Sequence, residues 1–528
     1  MTRKQKNLAF LGICFVLVFL IYSQTLSGDF VFDDRLIVNH YSLLNNLNNL
    51  PEIVTMGYWT IESGLYRPVI LLSYALNFSF LGSSPYSFHL VNLILYVFTG
   101  YLLYLLIKRL FPKQKLLAYL TSILFLVLSI HTEAVANIVG RAEILALFFS
   151  LLAFLEVIKK KSNIWLIGLW LFLALGSKET AIATWPILLL ISFYKNKFSF
   201  KDVFKKYSIP LFFSAFIYFV ARALVLGPYF LVTNATLVEN PLKFVSFFER
   251  INTALQVLVI YFKKTLWPFN LCSDYSYNQI PIVGSFFNLK TLLGLAILLF
   301  FIISLIFFFK RKPILALGSA FFLFPFLVIS NLIFPIGTIA GERLMYYPSV
   351  GLCIFLAYGL TRLNKIKPKK IFHLLALVIF VSLIAFYGSV SFIRNFDWLT
   401  EKNLFISAAK CAPQSVLSRS NMSTVYYFEN RYDKALEENI AAHQIYDKYD
   451  KAINNAGLIY WKTNRLEEAK QEYFRAIKNW PPYKGVYDNL ILLELSQGNI
   501  EQAKKWIKVI FIDNPEAAEI YLKKYGLK

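Results

Sequence analysis

Apolar runs of bilayer-crossing length recur through the first three-quarters of this chain, each set off from the next by a short polar or basic segment. They fall at about 8–22, 87–107, 116–131, 134–158, 164–177, 180–194, 207–226, 288–309, 313–331, 345–363 and 371–393. A helix rises about 1.5 Å per residue and the hydrocarbon core is about 30 Å thick, so runs near 20 residues suit a crossing. No soluble core could absorb them all. Hydrophobic residues make up 57% of the chain and charged ones 16%, against roughly 45–50% and about 25% in soluble proteins. The expected fold is therefore all-α, a polytopic membrane helix bundle of about eleven spans.

The net charge of +23 would suggest nucleic acid on a soluble protein. Here the cations sit in clusters between apolar runs, where positive charge sets topology. Lys108/Arg109/Lys113/Lys115, Lys159–Lys161, Lys195/Lys197/Lys201/Lys205/Lys206, Lys310–Lys312 and Arg362/Lys365/Lys367/Lys369/Lys370 occupy alternate loops. With Arg3, Lys4 and Lys6 they define one cytoplasmic face, placing the N-terminus inside and the C-terminal tail outside. The first run is read as a retained helix, because no small-x-small cleavage site follows it. The stretch 248–267 is apolar but carries Lys263 and Lys264 and ends at Trp267-Pro268. A full crossing there would reverse the face of every later cluster, so it is expected to be re-entrant or interfacial.

After Arg394 the composition turns charged, polar and aromatic. Three copies align at a 34-residue period: Asn421, Asn455 and Asn489, then Ala435, Ala469 and Ala503. The middle copy has Gly457, Tyr460, Ala469, Tyr473, Ala476 and Pro481 at tetratricopeptide spacing. The expected domains are 1–398, the membrane part, and 399–528, a solenoid of three repeats. Within the first, 27–86 is a large outer loop and 227–287 a central outer loop with the re-entrant segment. Cys14, Cys272, Cys353 and Cys411 have no metal-ligand spacing; a Cys272–Cys411 disulfide would need both to face an oxidising compartment.

Residues able to carry chemistry gather on the outer face. The first loop opens with Gly28-Asp29-Phe30-Val31-Phe32-Asp33-Asp34-Arg35, and a carboxylate of the adjacent pair could take a proton from an acceptor hydroxyl, or orient it, during glycosyl transfer. The alternative is an N-cap or a local pair with Arg35. Glu133, Asn137 and Arg141 recur at i, i+4, i+8, one helix face, with His131 just ahead. His89 and Asn92 stand near the outer end of the second span. Charges within spans usually face a bundle interior or wet cavity; a buried Glu133–Arg141 pair fixing the packing is the other reading. Arg67, Lys178-Glu179 and Glu342-Arg343 lie at outer span ends, where cations could hold a phosphate or simply snorkel. No Gly-rich phosphate loop, His-Glu-x-x-His or Gly-x-Ser-x-Gly motif occurs.

In order along the chain stand Phe32-Asp33-Asp34, Tyr66-Arg67-Pro68, Phe88-His89-Leu90-Val91-Asn92, His131-Thr132-Glu133-Ala134-Val135, Val139-Gly140-Arg141-Ala142-Glu143 and Ser177-Lys178-Glu179. Glu239-Asn240-Pro241, Leu271–Ser276 and Glu342–Ser349 follow. Together these resemble the transmembrane and tetratricopeptide-repeat O-mannosyltransferases, over nearly the whole chain. The resemblance implies a glycosyltransferase C fold and inverting transfer of mannose, or another hexose, from a polyprenyl- or dolichyl-phosphate donor. The acceptor would be a hydroxyl, protein Ser/Thr among the candidates, held by the repeats on the non-cytoplasmic face. By that resemblance Asp33 and Asp34 are the catalytic pair, Asp33 as base and Asp34 for positioning or metal. Arg67, Arg141, Lys178 and Arg343 would stabilise the donor phosphate, and His89, His131, Glu133, Glu143, Glu179 and Glu342 would shape the donor pocket. No metal ligand set is implied, and a divalent cation is left open.

Family members often carry longer repeat arrays, so the short tail leaves sugar and acceptor unspecified. The Lys-, Asn-, Ile- and Phe-rich composition suggests an AT-rich microbial genome. A bacterial inner membrane with the repeats facing outward is the first expectation, and an ER membrane with the repeats in the lumen is the second. Two other classes fit a chain of this kind: a flippase for lipid-linked sugar and a membrane-anchored repeat scaffold. The first expects paired inverted repeats, which the sequence lacks.

Overall fold

A computed structural model describes residues 2–195, 199–231, 234–479, 484–511 and 515–527. Lys197 and Pro481, named above, lie outside these. Among the described residues all regular structure is helical, with no strand. The chain divides into two compact units: Met1–Ser273 with Ile282–Leu404, and Asp274–Pro281 with Phe405–Lys528. The second unit thus begins at Phe405 rather than 399, and it takes in eight residues from the middle of the expected central outer loop.

Among the described residues, six helices of the first unit are long and apolar enough to cross a membrane: Lys4–Ser27, Pro85–Leu110, Ile138–Val157, Lys201–Tyr229, Leu289–Phe308 and Lys369–Trp398. A bent pair, Lys115–Val127 with Ser129–Ala136 at 51°, makes a seventh. Three of the expected spans fall instead on shorter apolar helices, Ile164–Ser177, Pro313–Ile329 and Ser349–Leu363. The 180–194 run divides into a tight Glu179–Ala183 turn and the helix Thr184–Lys195. Fourteen residues of helix reach only about 21 Å, so such elements need flanking turns to traverse a bilayer. The 248–267 stretch forms the helix Phe247–Leu266, which is not among the six. It runs along Leu289–Phe308: Gly294 admits the Leu255 carbonyl so closely that a Cβ would lie 2.1 Å from it, and Phe262 packs on Phe301. The first loop also carries an apolar helix that sequence patterning passed over, Pro68–Leu81, whose Ile70, Leu71, Tyr74 and Phe78 are core residues.

The helix ends sort by charge. Lys108 donates to Asn7 Oδ1 at 2.7 Å, Lys195 donates to the Val157 carbonyl at 2.8 Å, and Phe309 packs on Phe193 beside Lys195. Basic loops distant in sequence therefore meet. The other ends of the same helices carry the acidic first loop and the residues 131–143, 177–179 and 341–345.

In the second unit, three helix pairs follow one another: Val416–Phe428 with Tyr432–Ile445, Asp450–Lys462 with Leu466–Asn479, and Lys484–Ser496 with Ile500–Ile510. Each pair turns at a residue of positive φ: Asn430 (57°), Asn464 (60°) and Gly498 (77°). These residues are the left-handed stop that ends a helix, and they recur at the 34-residue period. The following amide donates five residues back in each case, Arg431 to Tyr426, Arg465 to Tyr460 and Asn499 to Glu494, at 2.8–2.9 Å. Ala435, Ala469 and Ala503 are fully buried. The segment from the central loop fastens to the start of the Val416–Phe428 helix. Val416 N donates to Tyr277 O at 2.7 Å, and the Asp274 carboxylate accepts from the Ser415 and Ser418 hydroxyls at 2.5 and 2.6 Å.

Candidate active site

The two neighbouring acids of the first loop have opposite fates. Phe32 holds a φ of +50°, a left-handed conformation uncommon for a bulky residue and often found at functional turns. The tight turn Phe32–Asp34 that follows sends Asp33 and Asp34 to different partners. Asp34 is fully buried. Its Oδ1 accepts from Val139 N at 2.9 Å, and its Oδ2 from Val31 N at 3.3 Å and Ile138 N at 3.4 Å. It pins the first loop to the 138–140 turn.

Burial raises the Asp34 carboxyl to about 7, outweighing the backbone donors at Val139, Val31 and Ile138 that favour the anion. The folded state then holds a proton that the unfolded chain has already lost above about 4, so this group's contribution falls as pH rises from there to about 7. Wild type should gain thermal stability relative to Asp34→Asn as pH is lowered from about 8 to about 5, read from paired melting curves.

Asp33 is partly exposed and meets Arg343: its Oδ2 accepts from Nη1 at 2.7 Å. Arg343 is held a second time by Glu133, whose Oε1 lies 3.4 Å from Nε and whose Oε2 accepts the Arg343 backbone N–H at 3.0 Å. Burial opposes the guanidinium charge, but Asp33 and Glu133 outweigh it and hold Arg343 above its ordinary value. Next in sequence, Glu342 is buried and its Oε1 accepts from Cys272 N at 2.5 Å. Gly341 N donates to Tyr261 Oη at 3.0 Å.

Two more paired carboxylates, Glu143 and Glu179, stand at this end of the helices. Lys178 pairs with Glu143, both buried. Glu179 accepts from Arg67 Nη2 at 2.8 Å and Nε at 3.1 Å, and Arg222 Nη1 lies 3.5 Å away. Burial would lift Glu179, yet Arg67 and then Arg222 outweigh it and hold the carboxyl at about 2. The Arg67 guanidinium also lies over the Tyr58 ring, 5.0 Å from its centre. The Tyr58 hydroxyl is buried without a hydrogen-bond partner. Sequence reading missed Arg222, Tyr58 and Tyr261. A lone arginine inside the 207–226 apolar run was a usable signal for the first; nothing local marks the tyrosines.

The other candidates are engaged elsewhere. Glu133, Asn137 and Arg141 do not share a helix face, contrary to the i, i+4, i+8 expectation. The chain breaks into Thr132–Ala136, a tight turn Ile138–Gly140, and a new helix from Arg141. Gly140 sits so close to Ala134 that a Cβ would lie 2.2 Å from its carbonyl oxygen. Nor does Glu133 pair with Arg141. Arg141 is fully buried and donates to Asn92 Oδ1 (2.8 Å), Asn77 Oδ1 (3.1 Å) and Phe88 O (3.0 Å). The Tyr74 ring centre lies 4.9 Å from its guanidinium carbon. Arg141→Met leaves these acceptors unserved and should cost on the order of 3 kcal/mol, measured as a fall in melting temperature in detergent. His131 is satisfied between Tyr96 Oη (2.9 Å) and Ser349 Oγ (2.7 Å). His89 is buried against the Gly28 backbone.

Among the described residues, no three His, Cys, Asp or Glu side chains converge on a point that could hold a metal ion. A divalent cation here would need water or ligand oxygens to complete its shell.

Residues 232–302 match the family described as "Protein O-mannosyl-transferase TMTC, DUF1736". The chain is 30% identical over 427 residues to the Caenorhabditis elegans protein O-mannosyl-transferase F38B6.6, covering 79% of this chain and 60% of the relative. It is 29% identical over 456 residues to human protein O-mannosyl-transferase TMTC3, covering 79% and 49%. With human TMTC4 it shares 29% over 462 residues, covering 74% and 60%. The chain spans about half to three-fifths of the length of these relatives. All three are animal proteins, unlike the microbial source that composition suggests.

Proposed function

The chain belongs to the protein O-mannosyl-transferase TMTC family, and on that premise we propose that it is an inverting, lipid-phosphate-sugar-dependent mannosyltransferase. The observation that carries this reading is the Asp33–Arg343 contact of 2.7 Å. It sets a partly exposed carboxylate beside a cation at the helix ends opposite the basic loops. The acceptor hydroxyl attacks the anomeric carbon of a polyprenyl- or dolichyl-phosphate mannose and gives its proton to Asp33. The new carbon–oxygen bond forms as the bond to phosphate breaks, and the lipid phosphate leaves with the electron pair. Arg343, Lys178 and Arg67 stabilise that charge, while Glu133, Glu143 and Glu179 hold them in place. Asp34 and Arg141 act as positioning residues, through the 138–140 turn and the Asn92–Asn77 network.

In the same reading residues 1–398 form a glycosyltransferase C type bundle of eleven crossings, with Phe247–Leu266 re-entrant or interfacial. The N-terminus is cytoplasmic. Residues 399–528 are three tetratricopeptide-type repeats on the non-cytoplasmic side, offering a short surface to the acceptor. That side is an ER lumen or a bacterial exterior, according to source. Purified protein supplied with polyprenyl-phosphate mannose and a Ser/Thr peptide should release lipid phosphate and glycosylate the peptide. Movement of the donor across vesicles without its cleavage would favour a flippase instead. Retained cellular function after loss of Asp33, Arg343 and Lys178 together would favour a scaffold.

A further inference from the structure

At the end of the bundle away from Asp33, two basic loops nearly 250 residues apart in sequence flank a surface-open cavity of about 270 Å³, with their four cations exposed at its rim. Its lining includes Lys113, Lys115, Arg362 and Lys365, with Gln114 and Asn364, and contains no carboxylate. Four cations around one opening repel each other unless an anion joins them. Two further groups at the opening can donate: the first-turn amides of one helix and the Asn364 side chain. Lys115 begins the helix Lys115–Val127, whose first turn lines the cavity and whose N-cap, Gln114, gives it no side-chain hydrogen bond; N–H groups so placed favour negative charge. Across the opening, the last carbonyls of the Ser349–Leu363 helix are turned back into the chain. Leu360 O accepts from Asn364 N at 3.1 Å and Arg362 O from Lys365 N at 2.9 Å. The Asn364 Oδ1 is hydrogen-bonded to His373 Nδ1 at 2.6 Å, which turns its amide nitrogen toward donation. Arg362 is braced by its Nε donating to Tyr358 Oη at 2.8 Å.

We propose that this pocket, formed by the Lys113–Lys115 and Arg362–Lys365 segments, binds a phosphate group. Topology alone does not account for it, because the positive-inside bias counts cations in loops and asks for neither convergence nor a cavity. The volume lies just below the roughly 300–1,000 Å³ of ordinary ligand sites, a size for one headgroup rather than an extended ligand. Two sources share the chemistry: the headgroup of an anionic phospholipid, for which basic pockets between membrane helices are suited, and free inorganic phosphate. The site is independent of the proposed transferase chemistry and stands or falls without it.

The test uses the full chain in uncharged detergent, titrated separately with phosphatidylglycerol, phosphatidylcholine and inorganic phosphate. Native mass spectrometry reads bound lipid, and thermal melting reads phosphate. The variant carries Lys113→Gln, Lys115→Gln, Arg362→Gln and Lys365→Gln; a Lys113→Arg, Lys365→Arg control keeps the charge and should bind as wild type does. At about fivefold per cation over four cations, the glutamine variant should bind phosphatidylglycerol roughly 600-fold more weakly, with phosphatidylcholine unchanged. That result assigns the lipid headgroup. A melting shift with inorganic phosphate in wild type, absent from the glutamine variant and with phosphatidylglycerol unaffected, assigns free phosphate. Equal phosphatidylglycerol binding by both proteins, with no phosphate shift in either, overturns the site.

Discussion

Asp33→Asn should lower the rate of mannosyl transfer by a factor on the order of 10²–10⁴, the usual worth of a positioned general base, with little change in melting temperature. The substitution keeps the shape and an acceptor oxygen for Arg343 Nη1, which now lies 2.7 Å away, but removes the proton sink. Asp33 is partly exposed and supports no backbone segment in the way Asp34 does, so the fold should survive. Asp34→Asn is expected to behave oppositely. It should shift stability and its pH dependence, and move transfer only as far as the Ile138–Gly140 turn moves. Parallel kinetics and melting curves on the two variants separate these roles. Equal catalytic losses at both positions would remove the distinction.

Arg343→Met should be the most damaging single change, because one side chain carries both structure and charge. Its loss takes from the buried Glu133 its nearest cation and leaves the residue-343 backbone N–H at 3.0 Å and the charge of Arg394; removal of one partner of a buried pair costs about 3–5 kcal/mol. It also removes the cation nearest Asp33 from the leaving phosphate; loss of such a stabilising donor typically costs on the order of 10²–10³ in rate. Arg343→Lys should recover much of the melting temperature and little of the rate. A single ammonium cannot reach Asp33 and Glu133 in the directions that Nη1 and Nε do. Transfer rates and melting temperatures of the two variants check this. Full activity in the lysine variant would show that point charge, not the fork, is what the site uses.

Much of the architecture was legible because it rests on one-dimensional signals. Apolar runs mark the helices, alternate basic loops mark which ends meet, and the 34-residue period read from Ala435, Ala469 and Ala503 is kept by the turns at Asn430, Asn464 and Gly498. Span length was less legible: 164–177 reads as a crossing by hydropathy, yet its helix has only 14 residues. The pairings among the candidate residues were not legible. Asp33 and Asp34 are indistinguishable in sequence, and their separation depends on the left-handed Phe32. Glu133 is 210 residues from Arg343, and the nearer Arg141 was the natural partner on an unbroken helix. Gly140 breaks that helix, because only a residue without a Cβ lets the chain pass Ala134 so closely. Nor did the sequence show that His131 links Tyr96 to Ser349. No local pattern reports a long-range hydrogen bond. The attachment of Asp274–Pro281 to the repeat unit was hidden for the same reason.

The central claim is that Asp33 serves as base in an inverting transfer from a lipid phosphate. It is tested most directly by the anomeric configuration of mannose on a Ser/Thr peptide after one turnover from a donor of defined configuration. The account predicts inverted product together with one equivalent of lipid phosphate from wild-type protein. Product of retained configuration would require a covalent intermediate or a second displacement, and would contradict the assignment of Asp33 as a base acting on the acceptor.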